Sequence, residues 1–307
     1  MRALITGASG FAGRYLVRAC AAAGDEVVGV SRSGGGGVSV DLLDASAVRQ
    51  LVRDLRPEVI YHLAALSSVG RSWEDPAGTV EDNVATAVAV LEAVRLEAPS
   101  ARVVWVSSCE VYGAPARMPI EEDAPLAPAN PYAVSKTTGD LLAGVYAGAY
   151  GLEVVRARPF NHAGPGQQPI FIVSSLARQA AEARLSGESV VRLVTGSPDT
   201  RRDFTDVRDV VRAYRMLGVL GGGSGVFNVC SGVSVSAAEH VALLRELLAP
   251  TPIEHVVDPS LVRAHEVGEL RGSYARLRDA TGWQPEIPMR QTMLETLQGW
   301  EGELAGA

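Results

Sequence analysis

Tyr132 and Lys136 stand four residues apart in Tyr132-Ala-Val-Ser-Lys136, so a phenol and an ammonium share one face of a helix. Such a pair can move a proton to or from a carbinol oxygen. A free phenol, with a pKa of about 10, is a poor base at neutral pH. A neighbouring ammonium and the positive charge of a nicotinamide would lower that value. Ser107 and Ser108 follow the apolar run Val103-Val104-Trp105-Val106, and a serine there can hydrogen-bond the reacting oxygen while Tyr132 transfers the proton. A second constellation lies near the start of the chain, in Ile5-Thr6-Gly7-Ala8-Ser9-Gly10-Phe11-Ala12-Gly13. Its glycines follow a short apolar strand and open a helix. Gly7, Gly10, Phe11 and Gly13 can therefore seat a pyrophosphate on backbone N–H groups and a helix dipole. A dinucleotide beside a proton-transferring tyrosine describes hydride chemistry at a C–OH/C=O centre.

The cofactor can be narrowed further. An acidic residue at the end of the second strand would hold the ribose diol of NAD, but Ser31-Arg32 occupies that place. A hydroxyl and a guanidinium suit a 2′-phosphate, so the expected cofactor is NADP, with NAD possible. Asp41 and Leu42 are placed to hold the adenine edge. Leu63, Ala64 and Ala65 end another strand in small residues that let the backbone approach the cofactor.

These residues need a scaffold of alternating strands and helices. Strand signals fall at Ala3-Leu4-Ile5 and at residues 26–30, 38–40, 59–63 and 103–106. Helical patterns at 11–23, 45–55, 79–96 and 132–150 separate them. The alternation predicts an α/β fold, a doubly wound parallel sheet of the Rossmann type covered on both faces. After Pro159 the rhythm changes: proline and glycine interrupt it, and helices at 172–185 and 236–248 stand among short strands. The expected division is a dinucleotide-binding domain over 1–158, with 206–230 returning to it, and a smaller C-terminal α/β substrate domain over 159–307. The glycine runs 34–37 and 221–223 read as surface loops.

Composition agrees with a globular enzyme: 307 residues, 47% hydrophobic and 21% charged. A net charge of −7 without a dense Lys/Arg tract gives no footprint for nucleic acid or a membrane surface. No apolar run approaches the length of a membrane span, so no span is expected, and no signal peptide is expected before a first strand that begins at Arg2. Cys20, Cys109 and Cys230 are few and widely spaced, as expected in a reducing cytoplasm. No two of the five histidines have metal-ligand spacing, so no metal is expected; His162 is the one placed nearest a substrate.

The motifs resemble those of the extended short-chain dehydrogenase/reductase family of nucleotide-sugar enzymes, also called the NAD-dependent epimerase/dehydratase family. The resemblance covers essentially the whole chain. It is carried by Thr6-Gly7 to Gly13, His62-Leu63-Ala64-Ala65, the serine-ended strand and Tyr132 to Lys136. The strings 63–69, Arg158-Pro159-Phe160-Asn161-His162-Ala163-Gly164-Pro165-Gly166-Gln167, Arg202-Asp203-Phe204-Thr205-Asp206 and Thr281-Gly282-Trp283-Gln284-Pro285 are similar to the GDP-mannose branch. That likeness implies that Ser67, Asn161 and Arg202 reach the substrate, the last two at its diphosphate. It also implies that Arg263 and Glu266 hold the nucleotide end. In Arg263-Ala264-His265-Glu266 the chain has alanine where the branch usually has the proline of R-P-x-E.

Ser107-Ser108-Cys109-Glu110-Val111-Tyr112-Gly113 separates possible reactions. Related 4,6-dehydratases of the dTDP and UDP type use an Asp-Glu pair here, whereas the GDP-mannose type has serine at the first position. Glu110 is present, but Cys109 replaces the aspartate and is a poor general acid. The resemblance therefore implies NADPH-dependent reduction of a nucleotide-linked 4-keto-6-deoxyhexose, with Ser108, Tyr132, Lys136 and Glu110 at the reacting centre. One alternative is a redox-neutral epimerase or 4,6-dehydratase that retains its cofactor. Another is a non-catalytic dinucleotide-responsive binding protein, against which the intact Ser108, Tyr132 and Lys136 argue. Helices 79–96 and 132–150 carry more apolar surface than one stripe against a sheet uses, and family members pair them, so a homodimer is expected.

Overall fold

The five strand signals of the first half become β1 (Arg2–Thr6), β2 (Glu26–Ser31), β3 (Val38–Ser39), β4 (Val59–His62) and β5 (Arg102–Val106), and a sixth strand that the sequence did not signal follows, β6 (Val154–Pro159). The computed structural model describes residues 1–34, 37–221, 223–262 and 267–306. Both glycine runs, and Arg263 and Glu266, therefore fall partly or wholly outside the described residues. A seventh strand, Gly225–Val229 (β10 in chain order), arrives from much later and pairs with β6. The sheet order is β10-β6-β5-β4-β1-β2-β3, and all neighbours run parallel. The central strands are continuous apolar runs because both faces are covered. Val59, Ile60, Tyr61, Val103 and Val104 are fully buried.

Helices lie on both faces. One face packs against α1 (Phe11–Ala22) and the later α7 (Val207–Val219), through Leu16, Cys20, Val210, Tyr214 and Leu217. The other packs against α2 (Ala45–Leu55), α4 (Pro76–Glu97) and α5 (Pro131–Tyr150), through Val48, Val52, Leu91, Val94 and Ala143. A short helix, α3 (Val69–Glu74), precedes α4. Helices α4 and α5 begin earlier than the periodicity predicts, at Pro76 and Pro131. Proline is well tolerated at a first helical position, where its missing N–H would have no partner. Asp75 and Asn130 cap these helices by accepting from the N–H groups of Gly78 and Ala133. Helix α5 ends at Gly151, which adopts φ 68°.

The remaining strands are β7 (Asn161–Ala163), β8 (Val191–Thr195), β9 (Arg201–Asp206), β11 (Ser234–Ser236), β12 (Ile253–Val257) and β13 (Glu269–Leu270). β9 is the hub, antiparallel to β11 and parallel to β7 and β13, while β8 pairs with β12. Helices α6 (Ile172–Leu185), α8 (Ala237–Leu247) and α10 (Met289–Ala305) form a separate core around Leu176, Ala180, Leu244, Met293 and Leu297. Helix α9 (Ala275–Thr281) leads to Trp283, which is buried against the large sheet's core. The carboxyl ends of the central strands and this second layer enclose one cleft.

Candidate active site

The turn between β1 and α1 requires its glycines for different reasons. Gly7 has φ 71°, and a Cβ there would lie 2.9 Å from the backbone nitrogen of Ala64. At Gly13 a Cβ would lie 2.1 Å from the Gly7 carbonyl oxygen, so the helix could not approach the turn. Gly10 is the N-cap of α1, and no side chain caps the first turn. The result is an uncapped helix N-terminus facing the cleft, with room for an anion to approach the backbone. The neighbouring strand end is fixed by Thr6, whose Oγ1 pairs with His62 Nδ1 at 2.9 Å and accepts from Ala64 N at 3.3 Å. Ser31, Arg32, Asp41 and Leu42 line the same cleft beyond the turn, and Leu63, Ala64 and Ala65 line its floor. Among the described residues these groups fit a dinucleotide.

Ser108 leaves the end of β5 in extended conformation and caps a short 3-10 turn, Cys109–Tyr112, by accepting from Glu110 N. Tyr132 and Lys136 lie on the first turns of α5, and both are buried at the cleft wall. The Ser108 hydroxyl lies near the Tyr132 phenol. Burial pushes that phenol above its ordinary value, Glu110 and Cys109 add to the rise, and Ser108 opposes it. Lys136 Nζ donates to the Val106 carbonyl at the end of β5. Burial lowers its ammonium to about 8, and Asp140 opposes that fall. Glu110 accepts from Asn130 Nδ2 at 3.0 Å, and Asn130 is the cap of α5. Glu110 thus braces the helix that carries Tyr132. Cys109 is buried, and burial holds its thiol well above the ordinary value, which leaves it unreactive.

Two supporting arrangements were not singled out as site residues in the sequence. Asn83 on α4 accepts from Leu66 N at 2.8 Å and donates to Ser135 Oγ at 2.9 Å, tying the loop after β4 to α5. Behind Lys136, Arg158 makes a two-pronged ion pair with Asp140, both contacts 2.9 Å. Arg158 also donates to Tyr112 Oη and to the Glu122 carbonyl, and Tyr112 donates to Asn228 Oδ1 at 2.8 Å. Asp140 and Asn228 are fully buried. A paired Y-x-x-x-K…D at helical spacing, followed by an arginine in a strand, is the signal that could have found this network.

Ser67, Asn161, His162 and Arg202 also line the cleft. The His162 ring lies parallel to that of Phe11, 5.9 Å between centroids. Arg202 donates to the carbonyls of Arg201 and Val267. All the candidate residues that are described converge on this one cleft of about 1070 Å³. Arg263 and Glu266 lie outside the described residues. Among the described residues there is no group of three or more His, Cys, Asp or Glu able to hold a metal ion, and no helix is long and apolar enough to cross a membrane.

A doubly wound parallel sheet, an uncapped glycine turn and a Ser-Tyr-Lys group define a dinucleotide-binding enzyme of the short-chain dehydrogenase/reductase type. The chain belongs to the NAD dependent epimerase/dehydratase family, whose model matches residues 3–230. It is 38% identical to GDP-6-deoxy-D-mannose reductase of Pseudomonas aeruginosa, over 99% of this chain and 98% of the relative. It is 35% identical to UDP-glucose 4-epimerase of Mycolicibacterium smegmatis, over 97% of this chain and 98% of the relative. Among solved structures it resembles RMD from Pseudomonas aeruginosa complexed with NADPH, with a TM-score of 0.88 and 36% identity; the match covers 99% of this chain and 100% of that one.

Proposed function

We propose that the protein reduces a nucleotide-linked 4-keto-6-deoxyhexose with NADPH, the substrate being of the GDP-6-deoxy-4-ketomannose type. The observation that carries this reading is Tyr132, a buried phenol set at the cleft wall with Ser108 and Lys136, in the same cleft as the glycine turn. A reductase needs a proton donor at the nascent alkoxide, and a phenol, with an ordinary pKa of about 10, is protonated at neutral pH. The full-length likeness to a GDP-6-deoxy-D-mannose reductase supports the substrate class.

When bound, NADPH supplies the hydride. Gly7, Gly10, Phe11 and Gly13 seat its pyrophosphate, and Ser31 and Arg32 take the 2′-phosphate. Asp41, Leu42, Leu63, Ala64 and Ala65 border the adenosine and the rest of the cofactor. Tyr132 protonates the C4 oxygen, Ser108 hydrogen-bonds it, and Lys136 holds positive charge beside the phenol. Ser67, Asn161 and Arg202 hold the substrate and its diphosphate, with Arg263 and Glu266 at the nucleotide. The dinucleotide half comprises residues 1–158 with 206–230, and the nucleotide-sugar half 159–307; the pairing of β10 with β6 supports this division.

The deciding experiment offers the protein NADPH with GDP-, dTDP- and UDP-linked 4-keto sugars. A reductase oxidises NADPH stoichiometrically, and only when a keto sugar is present. Interconversion of sugar nucleotides without added cofactor would replace this reading with the redox-neutral one. Arg32→Ala should raise KM for NADPH more than for NADH, by the roughly 1.5–3 kcal/mol expected of a charged phosphate contact. Equal effects on the two cofactors would sink the 2′-phosphate assignment.

The assembly is a homodimer through α4 and α5. Val88, Val134, Leu141, Val145 and Tyr150 are exposed there although large and apolar, which supports burial against a second copy. A monomer in sedimentation at micromolar concentration would count against it. The compartment we assign is the cytoplasm; all three cysteines are free and buried, which suits reducing conditions.

A further inference from the structure

His240, in the first turns of α8, is fully buried, and neither ring nitrogen has a hydrogen-bond partner. It nevertheless lines the cleft, beside Phe204, Val194, Thr195 and Gly196. The Phe204 ring meets it edge-on, with centroids 4.8 Å apart and planes at 82°. This end of the cleft is built by α6, β8, β9 and α8, and the glycine turn is built by the other layer. Burial lowers the imidazole to about 4, with the Glu239 charge opposing, so the ring is neutral and presents one donor and one acceptor. A polar ring buried with both nitrogens unpaired is costly, and a leucine of similar volume would pack there without that cost. Thr195, the nearest hydroxyl-bearing wall residue in β8, is already engaged with His255 Nε2 and the Gly196 carbonyl.

We propose that His240 reads the nucleoside of the substrate: its ring nitrogens are closed off as the side chain stands, and a turn of the imidazole toward the cleft completes a hydrogen bond with the base or ribose that enters this end. The flat apolar walls at Phe204, Val194 and Leu176 suit a planar heteroaromatic ring. The imidazole supplies polar discrimination that those walls lack, because a buried polar group left unpaired penalises the wrong ligand. This assignment rests on the nucleotide-sugar reading of the cleft. It adds a specificity residue on α8 that touches neither the reacting carbon nor the cofactor.

The test uses the full chain and free nucleoside diphosphates, with no sugar and no turnover. Calorimetric titration with GDP, UDP and dTDP is compared for wild type, His240→Leu and His240→Gln, alongside thermal unfolding without ligand. His240→Leu should weaken the tightest of the three by about tenfold, the loss of one buried hydrogen bond. The same variant should melt at a higher temperature than wild type when nucleotide is absent. His240→Gln, which keeps a donor and an acceptor, should retain most of the affinity. If wild type binds and His240→Leu binds equally well, His240 is a packing residue and the proposal is overturned. If wild type binds none of the three, the nucleotide-sugar reading falls and takes this proposal with it. Should His240→Leu not fold, His240→Met makes the same comparison, with the same outcomes deciding.

Discussion

Tyr132→Phe should lower kcat by about 10²–10⁴-fold, the usual contribution of a positioned general acid. The ring and its packing survive, and only the transferable proton is lost. Affinity for NADPH and for nucleoside diphosphate should hold, because those contacts lie elsewhere along the cleft. Stopped-flow measurement of NADPH oxidation, set beside equilibrium titration of the same variant, separates the two. Full turnover by the phenylalanine variant would show that another group delivers the proton. Lys136→Met should also be severe but is harder to interpret, since it removes charge from a buried position tied to the Val106 carbonyl. Ser108→Ala should be milder, costing one hydrogen bond to the developing charge on the reacting oxygen.

Asp140→Ala should cost about 3–5 kcal/mol of stability, because Arg158 would remain buried without its counter-ion. The arginine is almost wholly enclosed and spends both prongs on this carboxylate. Burial alone would raise the Asp140 carboxyl, but the Arg158 hydrogen bonds and charge, with Ser107 and Arg156, hold it below its ordinary value. A carboxylate with a depressed folded-state pKa contributes stability that is complete above its unfolded value, about 4. That contribution is lost as the pH falls through the folded value. Wild type should therefore lose stability below about pH 4 through this pair, while Asp140→Ala, already weakened at neutral pH, should lose less there. Denaturant melts of both proteins across acidic pH check the sign. A variant as stable as wild type at pH 7 would show that water or Tyr112 compensates the guanidinium. The substitution also removes the charge opposing the fall of the Lys136 ammonium, so the alkaline limb of kcat should move to lower pH.

Strands β1, β2, β4 and β5 were legible because each is a largely apolar run, while β6, interrupted by Arg156 and Arg158, gave no such signal. The glycine turn and Tyr132 to Lys136 were legible because a phosphate cradle and a proton-transfer pair need particular residues at fixed spacing. Prolines hid the true starts of α4 and α5, since a residue that breaks a helix interior is welcome at its first position. Helix α7 carries a readable stripe, Val207, Val210, Val211, Tyr214 and Leu217, but its place on the large sheet depends on strand order, which periodicity does not encode. The buried Asp140–Arg158–Tyr112–Asn228 chain joins residues up to 116 apart in sequence. Only Asp140, one turn on from Lys136 along α5, is marked locally, because the other members are ordinary polar residues until the fold removes water from them. His240 escaped for the opposite reason: at helical spacing among Ala237, Val241 and Leu244 it looks like a core position.

The outermost strand of the large sheet, β10, is contributed by residues 225–229 of a 307-residue chain. While the polypeptide is being synthesised, β6 therefore waits with one edge unpaired until roughly seventy further residues have emerged. An exposed edge strand invites pairing with other chains. Nascent chains stopped before residue 225 should be the ones that chaperones hold and proteases cut, and the same chains extended past 229 should resist both. No cut between β6 and β10 yields an N-terminal fragment with a complete sheet, so a gene shortened from its 3′ side keeps this sheet only if it still encodes residues 225–229.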